Sequence, residues 1–304
     1  MTKNIICSCA ILLVTFSLSA QSDSPANQLN LTDSVTAIQK KTGSGIITNN
    51  HSGKFYIYWG YNGSVFTHSD IHFEGPDYNF TVFDVVAHDR PTPFSFGVYF
   101  NPSSITIPQY NYRIGYYLNN RWSISLGLDH MKYVMDQNQT VLMSGEIDDI
   151  ASADYAGSYH DSAMVLTQDF LKFEHTDGLN LLSLDVEYTL PLLNLFHDKM
   201  NMSLASGAGI AAMIPRTDVR VFGEGINNKF HLAGYGISAK TGVRFEFFKN
   251  IFLLAQTRFG FVNLPDILLN DNVPQRADQH FSFFEYFVTA GLTLPFRKNE
   301  KHFK

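Results

Sequence analysis

The chain is poor in cysteine. Of 304 residues only Cys7 and Cys9 carry a thiol, and both fall in the first ten positions. Everything after them is without disulfide, thiol chemistry or cysteine-bound metal. Basic excess is missing too: 22 Lys and Arg stand against 28 Asp and Glu, a net charge of -6. Nucleic acid, which calls for a basic patch, is therefore excluded as a partner. Charged residues are only 16% of the whole. Beyond the N-terminus no apolar run approaches the ~18 residues that a helical membrane span needs, which rules out a helical anchor. No phosphate-cradling glycine loop is present, and nothing in the sequence implies a cofactor.

What the chain has instead is aromatic: 26 Phe and 15 Tyr. Such side chains favour strands and collect in the interfacial girdles of membrane barrels. The clearest stretch is 179–190, L-N-L-L-S-L-D-V-E-Y-T-L. Leu182, Leu184, Val186, Tyr188 and Leu190 alternate with Leu181, Ser183, Asp185, Glu187 and Thr189. A period of two is a β-strand with one apolar and one polar face. In a soluble sandwich the apolar face lies in the core. In an outer-membrane barrel it meets lipid, and the polar face meets the lumen.

Residues 1–20 combine Lys3, an apolar run over 5–14 and Ser17-Leu18-Ser19-Ala20 before polar Gln21. That is the pattern of a secretory signal peptide, and both cysteines lie inside it. Residues 21–53 form a polar, periplasmic lead-in. From Lys54 the pattern is strand after strand to Phe296, followed by a basic tail over 297–304. Tight turns are expected at Asn119-Asn120 and Lys249-Asn250, because Asn tolerates positive φ. Long connections are expected at 68–77, 215–228 and 264–279, and at the insertion 136–178. Short strands are expected at 94–100 and 165–173, and a connection with a helical turn at 191–198. Short and long connections alternate, as they do in barrels with short periplasmic turns and long outer loops. The fold class that follows is all-β, a closed antiparallel transmembrane barrel of about ten strands, with eight and twelve as the bounds.

The last strand strengthens the choice. Thr289-Ala290-Gly291-Leu292-Thr293-Leu294, with Phe296 two residues on, resembles the C-terminal assembly signal of outer-membrane barrel proteins. The basic tail after Phe296 departs from the usual bacterial form. Over 54–296 the chain resembles the small outer-membrane barrels of Gram-negative bacteria, of the Bacteroidetes kind. The resemblance implies an integral cell-outer-membrane location after secretion through the inner membrane. It also implies outer-membrane lipid and the barrel-assembly machinery as partners. It names no surface ligand.

Four cationic residues, Arg113, Lys240, Arg244 and Arg258, and five anionic ones, Asp129, Asp185, Glu187, Glu246 and Glu285, fall on the lumenal side of their strands. This near balance points to a charge-paired interior, with a narrow ion or small-solute path as the alternative. Glycines at 207, 209, 236, 242 and 260 fit a crowded lumen. One stretch invites an enzymatic reading: His175-Thr176-Asp177 resembles the His-x-Ser-Asn region of barrel enzymes that deacylate lipid A. By that resemblance His175 would be the base and Glu187 an orienting acid, but Asp177 stands where the serine nucleophile belongs. Thr176, one position along, would point to the other face. His68, His72, His130 and His160 lie toward the outer side with His175, yet without metal-ligand spacing. The function expected is that of a non-catalytic outer-membrane barrel with surface loops for contact. A lipid A or phospholipid acyl hydrolase centred on His175 is the alternative.

Overall fold

A computed structural model describes residues 50–295 except 197–198, 226–228, 249 and 271–273. The expected leader, residues 21–49 of the lead-in, Phe296 and the basic tail lie outside the described residues. In chain order the first strands are β1 (Lys54–Phe66), β2 (Ser69–Gly75), β3 (Tyr78–Val85) and β4 (Ala87–His88). A single helical turn, α1 (Phe96–Tyr99), precedes β5 (Tyr110–Tyr117) and β6 (Trp122–Met135). Next come β7 (Thr140–Ile147), β8 (Gly157–Val165), β9 (Leu171–Leu195) and β10 (Met200–Met213). The remainder are β11 (Asp218–Val221), β12 (Gly234–Phe247), β13 (Ile251–Leu268) and β14 (Arg276–Pro295).

Eight of these strands pair in a ring. The order is β1-β5-β6-β9-β10-β12-β13-β14, and β14 pairs back onto β1 from Lys54↔Pro295 to Phe66↔Phe283. Every contact in the ring is antiparallel. No ring strand is therefore left with an open edge of unpaired N–H and C=O groups along the paired stretch. The connections at the Lys54 end are short, over 118–121, 196–199 and 248–250. Those at the other end are long, and they carry the remaining strands.

Period-two patterning sets which side chains face out. On β9, Leu184 is 55% exposed and Val186 50%, while Ser183 and Asp185 between and beside them are buried. The same holds around the ring, with Ile210 64%, Phe259 61% and Val288 63% exposed. A water-soluble protein rarely leaves so wide an apolar surface uncovered, since each such side chain forgoes about 1.5–3 kcal/mol of burial.

The long-connection end is itself folded. β2 continues the sheet from the far end of β14, followed by β3, β7 and β8, while β11 pairs with the start of β9. Their inward side chains, with those of the turn before β9 and of β9 and β14, build an apolar core that includes Phe73, Phe80, Phe170, Phe173 and Phe281. Several sequence expectations are corrected here. Among the described residues the ring has eight strands, the lower bound rather than the expected ten, and six more strands lie outside it. The connection at 68–77 contains β2, and 215–228 contains β11. The insertion 136–178 is two strands and the head of β9 rather than a loop. Within 165–173 there is a turn between β8 and β9, and 94–100 forms α1 and coil. β9 runs on to Leu195, through the expected connection at 191–198. β13 and β14 extend into 264–279. At the long-connection end the cause is the second core: apolar residues of these segments, Ile71, Phe73, Val219 and Leu264 among them, are drawn into it and extend the sheet.

Candidate functional site

The interior of the ring is where charge gathers. Inward positions on six strands bring Arg113 (β5), Asp129 (β6), Asp185 and Glu187 (β9), Lys240 (β12), Arg258 (β13) and Glu285 (β14) into one cluster. Arg113 is fully buried and reaches Asp129 at 3.2 Å, Glu187 at 3.6 Å and, most closely, Asp185. Lys240 contacts Asp185 at 3.1 Å and also pairs with Glu187. Arg258 pairs with Asp129 and lies 3.7 Å from Glu285. Three cations thus face four carboxylates. Neutral groups add further partners. Asn111 donates to Asp129 at 2.7 Å and to Glu285 at 2.8 Å. Ser183 and Ser125 accept from Arg113 at 3.0 and 3.1 Å, and the Tyr56 hydroxyl donates to Glu187. Buried ions need this density of partners, because desolvating them costs several kcal/mol each.

A second, smaller cluster closes the short-turn end. Arg244 bonds Glu246 at 3.3 Å, the Tyr117 hydroxyl at 2.7 Å and the Thr293 hydroxyl at 2.7 Å. Its guanidinium lies 3.7 Å over the Phe252 ring. His51, just before β1, lies tilted against Tyr117 at 4.7 Å and contacts Glu246 at 3.0 Å through Nε2.

The interior is crowded where glycines face it. Glycines sit opposite large side chains on adjacent strands: a Cβ on Gly115 would lie 2.1 Å from the Tyr56 ring, and one on Gly127 2.4 Å from the Arg113 guanidinium. At Gly209 it would lie 2.0 Å from Asp185.

All nine charged residues singled out in the sequence face this interior; eight are buried and Glu187 is nearly so. Sequence reasoning missed Asn111, Tyr56 and His51. The first two share the inward register of charged neighbours, which is a usable signal. His51 lies outside any alternating run and left none.

The hydrolase candidates do not come together. His175 is buried in the apolar core above the ring, with its ring centroid 5.1 Å from Phe173 and 5.7 Å from Tyr133. Its Nδ1 meets the Thr217 hydroxyl at 2.9 Å, and burial pushes its pKa down to about 3. Asp177 is exposed, 3.8 Å from Arg216. Glu187 belongs to the ring cluster, twelve positions along the same strand, about 40 Å away at the usual rise. Base, nucleophile and acid are thus apart. The other histidines have separate partners: His68 meets Asp84 at 2.9 Å, His72 meets Thr81 at 3.0 Å, and His130 meets Asn180 at 2.9 Å. Among the described residues no group of three or more His, Cys, Asp or Glu is placed to hold a metal ion.

No family profile matches the chain, and no curated protein matches it. Solved structures similar to it include the outer membrane protein OprG from Pseudomonas aeruginosa, at 8% identity and a TM-score of 0.38, over 82% of this chain and 100% of that one. Neisserial surface protein A is similar at 11% identity and a TM-score of 0.28, over 80% of this chain and 97% of that one. Ail, the attachment invasion locus protein of Yersinia pestis, is similar at 10% and 0.27, over 80% and 99%. Likenesses this distant carry no argument of their own. The strand pairing and the placement of side chains do.

Proposed function

We propose that the chain is an integral outer-membrane β-barrel protein with a non-conducting, charge-paired lumen, whose folded outer end makes contacts at the cell surface. One observation carries the reading: the same strands that bury Arg113, Arg258 and Glu285 inside the ring expose Ile114, Phe259 and Phe284 outside it. That distribution is inverted relative to a soluble protein and suits a hydrocarbon solvent. The short-turn end faces the periplasm in this reading, and the β2, β3, β7 and β8 sheet faces outward. Residues 1–20 direct secretion through the inner membrane, and the last strand is read by the barrel-assembly machinery. The lumen is structural, holding eight strands together through ion pairs rather than passing solutes.

Fractionation tests the compartment, and planar bilayers test the lumen. The protein is expected in the outer-membrane fraction, with faster gel mobility before boiling than after. Purified protein is expected to add no unitary conductance steps to a planar bilayer. A chain that stays in the soluble periplasmic fraction overturns the reading, and discrete conductance steps overturn the closed lumen.

A further inference from the structure

The connection between β4 and β5 is built inside out. Between Asp89 and Gln109 the segment runs along the outward side of β1 and β6, and polar groups at Thr92, Tyr99 and Ile107 meet that wall. The hydroxyl of Tyr61, on the outward side of β1, donates to the Tyr99 carbonyl, and the two rings lie 4.7 Å apart. Lys132, on the outward side of β6, donates to the Thr92 hydroxyl at 3.2 Å and the Ile107 carbonyl at 3.3 Å. At one end Asp89 accepts from the Ser64 N–H at 2.8 Å and from Gln109 at 2.7 Å. Four of its apolar side chains turn the other way. Phe94 is 65% exposed, Phe96 75%, Phe100 68% and Ile107 53%. The phenyl groups touch one another, Phe94 to Phe96 at 5.2 Å and Phe96 to Phe100 at 5.7 Å, but no core covers them.

An exposed cluster of three phenyl groups over a polar underside is the wrong way round for a loop in water. It continues the wall it lies on, where Trp59 stacks on Tyr110 at 4.6 Å at the head of β5. We infer that this connection is an interfacial membrane anchor, with Phe94, Phe96 and Phe100 seated in the acyl chains of the outer leaflet. The inference rests on the outer-membrane reading above. It removes this segment from the surfaces available to an extracellular partner. It also adds a horizontal foothold to a ring otherwise held by its vertical wall. Aromatic side chains inserted just below the headgroups are the usual form of such anchoring.

Depth-dependent quenching tests it. Protein carrying Trp59→Phe and Trp122→Phe gives a tryptophan-free background, to which Phe96→Trp or Leu184→Trp is added singly. Each variant is reconstituted in phosphatidylcholine vesicles with and without bromine on the acyl chains. Phe96→Trp emission is expected to fall to roughly half in brominated lipid, more with bromine near the headgroup than near the chain end, and to resist aqueous iodide. Emission that iodide quenches and brominated lipid does not, with Leu184→Trp still quenched by the lipid, overturns the anchor and leaves the barrel reading standing. Emission that neither quenches, with Leu184→Trp still quenched by the lipid, places a second protein chain over the phenyl groups and likewise overturns it. Failure of brominated lipid to quench Leu184→Trp as well overturns the membrane reading beneath both.

Discussion

Arg113 is the ring's most connected cation, and its removal is the sharpest test of the interior. It is fully buried and faces Asp129, Asp185 and Glu187. Arg113→Met keeps much of the volume and deletes the charge, leaving two cations, Lys240 and Arg258, against four carboxylates. Breaking a buried pair by removing one partner costs about 3–5 kcal/mol, because the other charge stays desolvated. Adding Asp185→Asn deletes the nearest orphaned carboxylate and should return about 1–3 kcal/mol of that loss, a coupling typical of groups in one network. Arg121→Met, on the exposed short turn, should stay within about 0.5 kcal/mol of the parent. Urea titration of vesicle-reconstituted protein, followed by tryptophan emission and by the unboiled gel shift, measures all four. A loss under about 1 kcal/mol for Arg113→Met would mean that water screens the cluster, and the filled-lumen account would be refuted.

Further expectations follow from other parts of the molecule. Gly115→Leu should cost about 1–3 kcal/mol or prevent assembly, since a Cβ there already meets the Tyr56 ring and overpacking strains a filled interior; the unboiled gel shift reads it, and Tyr56→Ala in the same chain should restore part of the loss. His175 is held neutral when folded, with its pKa down to about 3, against about 6.5 unfolded. Between those values the unfolded chain binds the extra proton, so this residue's contribution falls as pH drops below 6.5. His175→Phe should therefore shrink the stability loss between pH 7 and pH 5 by about 2 kcal/mol in urea titrations; an unchanged loss would show that His175 is solvated. Lipid A from cells with and without the gene should give identical acyl-chain masses, whereas a missing chain only in cells with the gene would revive the hydrolase reading.

Much of the ring was legible because its strands are long and strictly alternating. On β9 the run from Leu181 to Leu190 fixes which side each residue faces, and the nine interior charges follow from the same rule on other strands. The strand count was not legible. β2, β7, β8 and β11 are four to nine residues long, too short for a period to stand out from adjoining turns. Their register also breaks, with left-handed residues at Asp84 (φ 58) and Asp161 (φ 46). Such interruptions scramble alternation while a folded core absorbs them. The aromatic run 94–100 reads as strand-forming by composition, yet it lies between prolines and has no ladder to join. Whether the interior is filled depends on pairs such as Gly115 with Tyr56, fifty-nine positions apart, which only the register β1↔β5 brings together. The catalytic candidates failed for the same reason: nearness in sequence on one extended strand places His175 and Glu187 far apart.

The inverted surface can be read position by position. With Cys7 and Cys9 replaced, single cysteines at 182 through 187 carry nitroxide spin labels in the reconstituted protein. Collision with oxygen, which concentrates in hydrocarbon, should peak at 182, 184 and 186, and a water-soluble nickel chelate should be nearly blind to those sites. Peaks for the nickel chelate at the same three positions would put the apolar face of β9 in water and contradict the account.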